Sequence, residues 1–508
     1  MDVLGVPVGT AAYAVHCWKE AFDKKKMRPE VFSRLTTQEQ MNMIIFTEQR
    51  YNHKCRGDMA VEATREIRQE IDDYYFGPEG IVFTGPLRLD PLSLTPPQRD
   101  RLRLRFHMLA AHGGLGLRPL SEDGEFSQLS MVAEVVRSDG ALVPNRDWLV
   151  EQLKAGATAE SPTATFILDN IKRFAAQATG TADHPAMEGA RHKLPLTLEA
   201  VLSGRPMTQS AIRATQSLTR KQVWEGQAPA SEKRLVKHMQ PRDWTALLNA
   251  LPTSRLLTIP TKAFAAALRF QLGVDGRPDD PNASCVCGHH PLDAAHAISC
   301  SSTGATSRIH TRLRDVVRAA ANFCGLRPDT NEPRQQPNSN NSRGGADIRI
   351  TRLRPTGFTV AGVPAVARHQ GTVLIVDVTT AAVGAASHRD RADREPARSV
   401  VRYVEARKHT QTEDSAVARL NGSQYLPCGM ERDTLTLGDG MGQAIKRFAS
   451  QNQGLEYEGR EDLLQGYVEG LWSAPTAERY WRKVIVAQIV IAREEEVARA
   501  FGINSPGG

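Results

Sequence analysis

Two groups of residues in this 508-residue sequence have the types and spacing to do chemistry. The first is Cys285, Cys287, His296 and Cys300, three thiols and an imidazole in one short stretch. Tetrahedral zinc takes four such sulfur and nitrogen ligands, and a His and a Cys four residues apart share one face of a helical turn. Cys285 and Cys287 are separated by one residue where two is the common spacer, so His289 or His290 stands as an alternative to one of the four. The other reading is a loop with unligated thiols, against which the polar flank Pro281-Asn282-Ala283-Ser284 argues. Four protein ligands leave no open coordination position, so a zinc ion here would serve folding.

The second group is acidic. Asp377 interrupts the run Val373-Leu374-Ile375-Val376 and is followed by Val378. A carboxylate inside a buried strand is costly unless a cation or strong donors meet it. Asp347 and Glu332 lie upstream and can share a cleft with it. Converging carboxylates repel one another unless a hard divalent cation neutralises them, and Mg²⁺ needs only one or two protein carboxylates, taking its other ligands from water and substrate phosphate. Lys408 follows on a basic segment, where its ammonium can stand beside an attacking water or the charge developing on a phosphate. The alternative is that Asp347 ends a turn and Asp377 pairs with one of many arginines.

These residues need positioning elements. Arg308 to Cys324 repeats Ile309, Leu313, Val316, Val317 and Ala320 at helical spacing, and the polar stretch from Gln335 to Gly345 reads as a loop. Ala346 to Leu353 alternates like a half-buried strand, and Val373 to Val378 has the apolar, β-branched character of a central strand covered on both faces. A basic helix over Pro396 to Thr410 and a weaker strand near Gln424 to Cys428 complete a small α/β domain. Everything before about Asp280 reads as an α-rich scaffold: Arg65 to Tyr75, Gln98 to Ala111, Gln128 to Val136, Thr165 to Thr179, Leu196 to Leu218 with a break at Gly204 to Pro206, Arg242 to Leu251 and Thr261 to Leu272. After Ala111, paired glycines in His112-Gly113-Gly114-Leu115-Gly116-Leu117 permit a helix C-cap and close backbone approach.

The length implies two to four domains. With 41% hydrophobic and 24% charged residues the chain is neither wholly disordered, nor collagen-like, nor a membrane bundle. The late apolar run Val484 to Ala492 is too short to cross a bilayer, and the start Met1-Asp2 lacks the basic and apolar segments of a secretory signal. Seven cysteines, three of them crowded between Cys285 and Cys300, fit a reducing compartment and one metal site. Net charge is +7, but Ser301 to Thr410 alone holds 18 Lys+Arg against 9 Asp+Glu, and 17 of those cations are arginine. Such a window suits a polyanion, whose phosphates the guanidinium fork can grip; the other reading is a solvated surface.

The order Cys-x-Cys-Gly, His296-x-x-x-Cys300, Arg308-Ile-His310, Glu332-Pro333, Gly345-Ala346-Asp347-Ile348 and Ile375-Val376-Asp377-Val378 resembles the C-terminal region of non-LTR retrotransposon proteins that carry a restriction-like endonuclease. His112-Gly-Gly-Leu-Gly-Leu117 is similar to a signature found after their reverse-transcriptase domain, and Trp244 to Gly273 to the helical segment before their zinc knuckle. The resemblance spans roughly Ile44 to Gly442. It implies that Asp347 and Asp377 are Mg²⁺ ligands, Glu332 an accessory acid, and Lys408 the lysine of the PD-(D/E)xK pattern, moved to the next helix because Thr379 occupies its usual place. Ala346 stands where that pattern has proline, which is not a ligand.

The fold implied is α+β and multidomain: an α-helical N-terminal scaffold, a small zinc knuckle, then a restriction-endonuclease-like α/β domain with a mixed central sheet. The expected segments are 1–135, resembling the part after a reverse transcriptase; 136–280, a helical linker domain; 281–305, the knuckle; 306–450, the nuclease; and 451–508, a helical extension. No aromatic-x-Asp-Asp polymerase motif is present: Ile71-Asp72-Asp73-Tyr74 has its aromatics on the wrong side. The chain is therefore expected to be a truncated or separately encoded piece of such an element, nuclear, with target DNA and element RNA as partners and neither a membrane nor a small-molecule substrate. The function implied is metal-dependent nicking of target DNA for target-primed reverse transcription. The alternative is a catalytically inactive nucleic-acid-binding remnant.

Overall fold

The computed structural model describes residues 2–3, 6–7, 10–57, 63–127, 129–138, 146–156, 161–181, 198–203, 208–274, 284–288, 294–329, 347–351, 373–411, 424–451 and 477–501. Glu332, His289 and His290 lie outside them. The chain is α+β and divides into two compact units, residues 1–35 with 40–228, and residues 36–39 with 229–508.

The first unit is helical apart from two paired two-residue strands. In Arg65–Phe76 the residues Ile67, Ile71 and Tyr75 are buried at a four-residue spacing, which makes one helix face core. Asp72 on the same helix accepts from the backbone N–H groups of Leu120 and Ser121, each at 2.7 Å, and so caps the helix Leu120–Ser127. The helix expected over Gln98 to Ala111 runs instead from Pro96 to His107, followed by a 3₁₀ turn at Ala110–His112. It stops early because the glycine segment folds back on it: Leu115 and Leu117 donate to the carbonyls of Arg105 and Phe106, taking acceptors that a longer helix would use. Gly114 is required there, since a Cβ would lie 2.1 Å from the Met108 carbonyl oxygen. The segment expected over Leu196 to Leu218 is two helices, Leu198–Leu202 and Gln209–Gln227, the second running on past Leu218 to bury Trp224.

The second unit carries the chemistry. Among the described residues its helices are α1 Ala230–His238, α2 Pro241–Leu248, α3 Thr261–Gln271, α4 Ala294–Ser299, α5 Ala305–Phe323, α6 Ala386–Arg394, α7 Ser399–Gln411, α8 Asp439–Gln451 and α9 Ala477–Ala500. Among the described residues five strands, β1 Arg327–Asp329, β2 Ile348–Thr351, β3 Leu374–Ala381, β4 Gln424–Glu431 and β5 Thr436–Leu437, form one sheet in sequence order. Only β3 and β4 run parallel, joined through α6 and α7, so the sheet is mixed. β3 is buried on both faces over its first five residues, as its apolar run requires. β4 extends to Glu431, three residues beyond the expected Cys428, because β3 pairs with it along its whole length. The sequence reading missed α6, whose single buried residue, Ala392, leaves no apolar stripe to see. α9 is buried almost all round, with Val484, Ile485, Val486, Ile489 and Val490 in the core, which accounts for the late apolar run. Among the described residues no helix is long and apolar enough to cross a membrane.

Candidate functional site

Cys285, Cys287, His296 and Cys300 converge, their four ligand atoms all lying within 4.8 Å of one another. The Cys285 and Cys300 sulfurs are 3.6 Å apart, and Cys287 Sγ is 3.1 Å from His296 Nε2. Tetrahedral zinc with Zn–S bonds of about 2.3 Å holds its sulfurs about 3.8 Å apart, near the Cys285–Cys300 separation, so the group could hold that ion. Local geometry explains the convergence. A turn after Cys285, closed by the Gly288 N–H on the Cys285 carbonyl at 2.8 Å, uses Gly288 at φ 84°, and α4 sets His296 one turn before Cys300. Burial pushes the Cys285 thiol up; at Cys300 burial acts in the same direction, but the N–H groups of Thr303 and Ser302 and the neighbouring thiols outweigh it and hold the group low. Backbone donors aimed at sulfur are the outer shell a thiolate–metal site needs. The cluster is anchored: Cys285, Ala297 and Cys300 pack against Val497, Ala500 and Phe501 at the end of α9.

The carboxylate site depends on strand register. Ile348 pairs with Val376 and Ile350 with Leu374 in antiparallel β2 and β3, so one step along the ladder Asp347 stands opposite Asp377. Like charges directly across a ladder repel, and Asp377, 3% exposed, is shielded from water while Asp347 is half-buried. Lys408 Nζ on α7 lies 3.0 Å from each oxygen of Asp377, and the Tyr425 hydroxyl donates to Asp377 Oδ2 at 2.6 Å. Asp347 Oδ2 accepts from the Val378 N–H at 2.7 Å and lies 3.3 Å from His310 Nε2 on α5. That same His310 nitrogen lies 2.9 Å from the Val378 carbonyl.

The two acids divide their titration. Burial pushes the Asp377 carboxyl up, and the ammonium of Lys408 and the Tyr425 hydroxyl only partly counter it. Burial also opposes ionisation of Asp347, but His310, the Val378 N–H and a hydrogen bond with Asp377 outweigh it and hold Asp347 low. His310 is raised, chiefly by its bond to Asp347. Of the two, Asp347 is therefore the stronger acid.

Of the residues singled out in the sequence, Asp347, Asp377 and Lys408 are brought together, the four zinc-type ligands are brought together, and Glu332 is not described. Thr379 sits two residues past Asp377 on the same strand, while the lysine comes from α7. Sequence reasoning gave no role to His310 and did not mention Tyr425. His310 was visible inside Arg308-Ile-His310, but its partner became evident only once α5 lay beside β3; Tyr425 stands in register with Ile375, on the same face as Asp377.

Many arginines of the basic window are committed internally. Arg308 pairs with Glu496 and Arg312 with Gln488 on α9, Arg391 with Glu395, and both Arg398 and Arg402 with Asp439. Compared with known protein families and with curated proteins, the sequence matches none.

Proposed function

We propose that the second unit is a metal-dependent DNA endonuclease of restriction-like type, a C-terminal part of a non-LTR retrotransposon protein that nicks target DNA in the nucleus so that a 3′-hydroxyl can prime reverse transcription. The observation that carries this reading is Asp347 facing Asp377 across the β2–β3 register with Lys408 bonded to the more buried acid. Two carboxylates facing one another across a ladder form a hard-oxygen donor set, which is what Mg²⁺ takes from a protein. Bound between Asp347 and Asp377, the ion would supply a Lewis acid for the phosphodiester and a water activated for in-line attack. The chain's own residues do the positioning. Val378 N–H and His310 hold Asp347, Tyr425 holds Asp377, and Lys408, its side chain 38% exposed, presents an ammonium toward the charge that develops on the phosphate. The zinc-type cluster would order the chain leading into α5 and so the base of His310. Element RNA would be a second polyanionic partner.

One observation favours the non-catalytic binding remnant: both oxygens of Asp377 are already engaged by Lys408, as in a structural ion pair. Calorimetry with Mn²⁺ as the probe separates the two. The endonuclease reading expects one Mn²⁺ site lost in Asp347→Asn and in Asp377→Asn; identical Mn²⁺ binding in all three proteins leaves the binding reading.

A further inference from the structure

His238 lies at the end of α1 and Glu431 at the end of β4, each with its side chain 0% exposed. His238 Nδ1 is 3.4 Å from Glu431 Oε1, and Nε2 is 3.0 Å from the Ala392 carbonyl on α6. Both ring nitrogens therefore face acceptors. A neutral imidazole carries one N–H and satisfies one of them; an imidazolium carries two and satisfies both. A proton on Glu431 would serve the same contact, so in either form the joint needs one proton more than a neutral imidazole and a carboxylate supply. Without it, two buried acceptors face each other out of reach of water.

Two helix ends meet at this joint, and its charges suit them. Ala392 lies in the last turn of α6, where a helix favours a cation, and Lys237 Nζ also donates to the Ala392 and Asp393 carbonyls at 2.9 and 2.8 Å. Glu431 Oε1 accepts from the N–H of Val401 in the first turn of α7 at 3.2 Å, where a helix favours an anion. Thr434 Oγ1 donates to Glu431 Oε2 at 2.8 Å, and Thr436 Oγ1 on β5 to the His238 carbonyl at 2.7 Å. Other charged groups on these elements have their own partners. Arg234 of α1 holds the Asp393 carboxylate at 2.6 and 2.9 Å, Glu395 after α6 pairs with Arg391, Asp433 after β4 takes the Gly384 and Thr434 N–H groups, and Arg398 and Arg402 pair with Asp439. On α7, Glu405 accepts from the Gly429 N–H. Burial works against charge on His238, but Glu431 and the Ala392 carbonyl outweigh both burial and Lys237 and hold the imidazole above its ordinary 6.5; burial pushes the Glu431 carboxyl up as well, with Asp433 acting in the same sense.

We propose that this joint is a proton-operated latch: while a proton lies between His238 and Glu431, α1 fastens the end of α6 to the start of α7, and loss of that proton to water at higher pH releases the corner. Both groups bind protons more tightly in the folded chain than in the unfolded one. The share of stability owed to His238 is therefore full below about 6.5 and is lost as pH rises through the folded value. α7 carries Lys408, so the corner bears on the carboxylate site, but the latch does not depend on what that site does.

The test combines NMR titration of the histidines with amide hydrogen exchange on the full-length protein, the His238 resonance being assigned through His238→Gln. His238 should titrate above the ordinary histidine value. Above that point the protection of amides in the last turn of α6 and the first turn of α7, corrected for the intrinsic rate, should fall about tenfold per pH unit, the slope of one linked proton. Amides of β3 should not follow. In His238→Gln, which has no proton to lose there, protection of the same two turns should be flat with pH. A His238 that titrates at or below the ordinary value, protection of the two turns that is indifferent to pH in the parent, or a fall that survives in His238→Gln overturns the latch. Should His238→Gln not fold, Glu431→Gln takes its place: it should lower one histidine pKa and carry the fall in protection to lower pH, and a fall that stays where it was overturns the proposal.

Discussion

The zinc-type cluster and the carboxylate pair lie in the same unit and solve opposite problems. The cluster takes its four donors from residues 285–300. The carboxylate pair takes its parts from residues 310, 347, 377, 408 and 425, and it holds its own ammonium, imidazole and phenol hydroxyl. A protonated thiol carries no charge and can wait for its ion without a counter-charge. Two hard acids across a strand ladder must be neutralised before the sheet can form, and here the protein does so itself. On the proposed reading, the first arrangement would make a metal a folding element, and the second would make it an exchangeable visitor that competes with Lys408.

The largest effect expected from that contrast is at the cluster. Cys300→Ser, or removal of metal by a chelator, should abolish stoichiometric zinc and unprotect the amides of α4 together with the last turns of α9, which pack on it. Metal analysis with amide hydrogen exchange reads both, and an α4 equally protected without metal would make the two sites alike.

Next is Lys408→Ala. Its ammonium lies 3.0 Å from Asp377, so its loss should lower nicking about a hundredfold while Mn²⁺ affinity rises or holds, because a competitor for the carboxylate has gone. Nicking and calorimetry together check this; weaker Mn²⁺ binding would show that Lys408 supports the ion instead of competing with it.

His310→Gln should come third. The imidazole orients Asp347 through a 3.3 Å contact, and outer-shell partners of this kind are worth about 10- to 100-fold in metal affinity. A variant with an unchanged Mn²⁺ constant would remove His310 from the site.

The smallest effect concerns what holds α7, and with it Lys408, in place. Glu405, one turn before Lys408, accepts from the N–H groups of Gly429 at 2.7 Å and of Gly440 and Asp439 at 3.2 Å. Burial nevertheless pushes its carboxyl up from 4.5 to about 7. The folded state therefore binds this proton more tightly than the unfolded one. Its stabilising contribution is full below pH 4.5 and is lost as pH rises to about 7. Glu405→Gln keeps the accepting oxygen, so chemical denaturation across that window should show a flatter profile than the parent; an unchanged profile would place the titration elsewhere.

The same contrast explains what was legible in the sequence. The cluster could be read because its ligands are local and their types are rare, and Asp377 because a carboxylate inside Val373 to Val378 demands an explanation. Facing of Asp347 and Asp377 follows from register, which the alternation of Ile348 and Ile350 foreshadows. His310 and Tyr425 could not be read, since each meets its acid only through the packing of α5 on β3 and the pairing of β4 with β3. The charge of the 301–410 window was visible, but its use was not: Arg308, Arg312 and Arg398 are spent on Glu496, Gln488 and Asp439, residues far along the chain. Helix ends moved where backbone acceptors were taken by a returning loop, as at His107, a competition no propensity records.

The central claim is that the facing acids are a place for a catalytic divalent ion. It is tested most directly by nicking of supercoiled DNA in Mg²⁺ by the parent protein and by Asp377→Asn, with DNA affinity measured alongside. The account predicts Mg²⁺-dependent nicking by the parent and none by the variant at equal affinity for DNA. Equal nicking by the two proteins would contradict it.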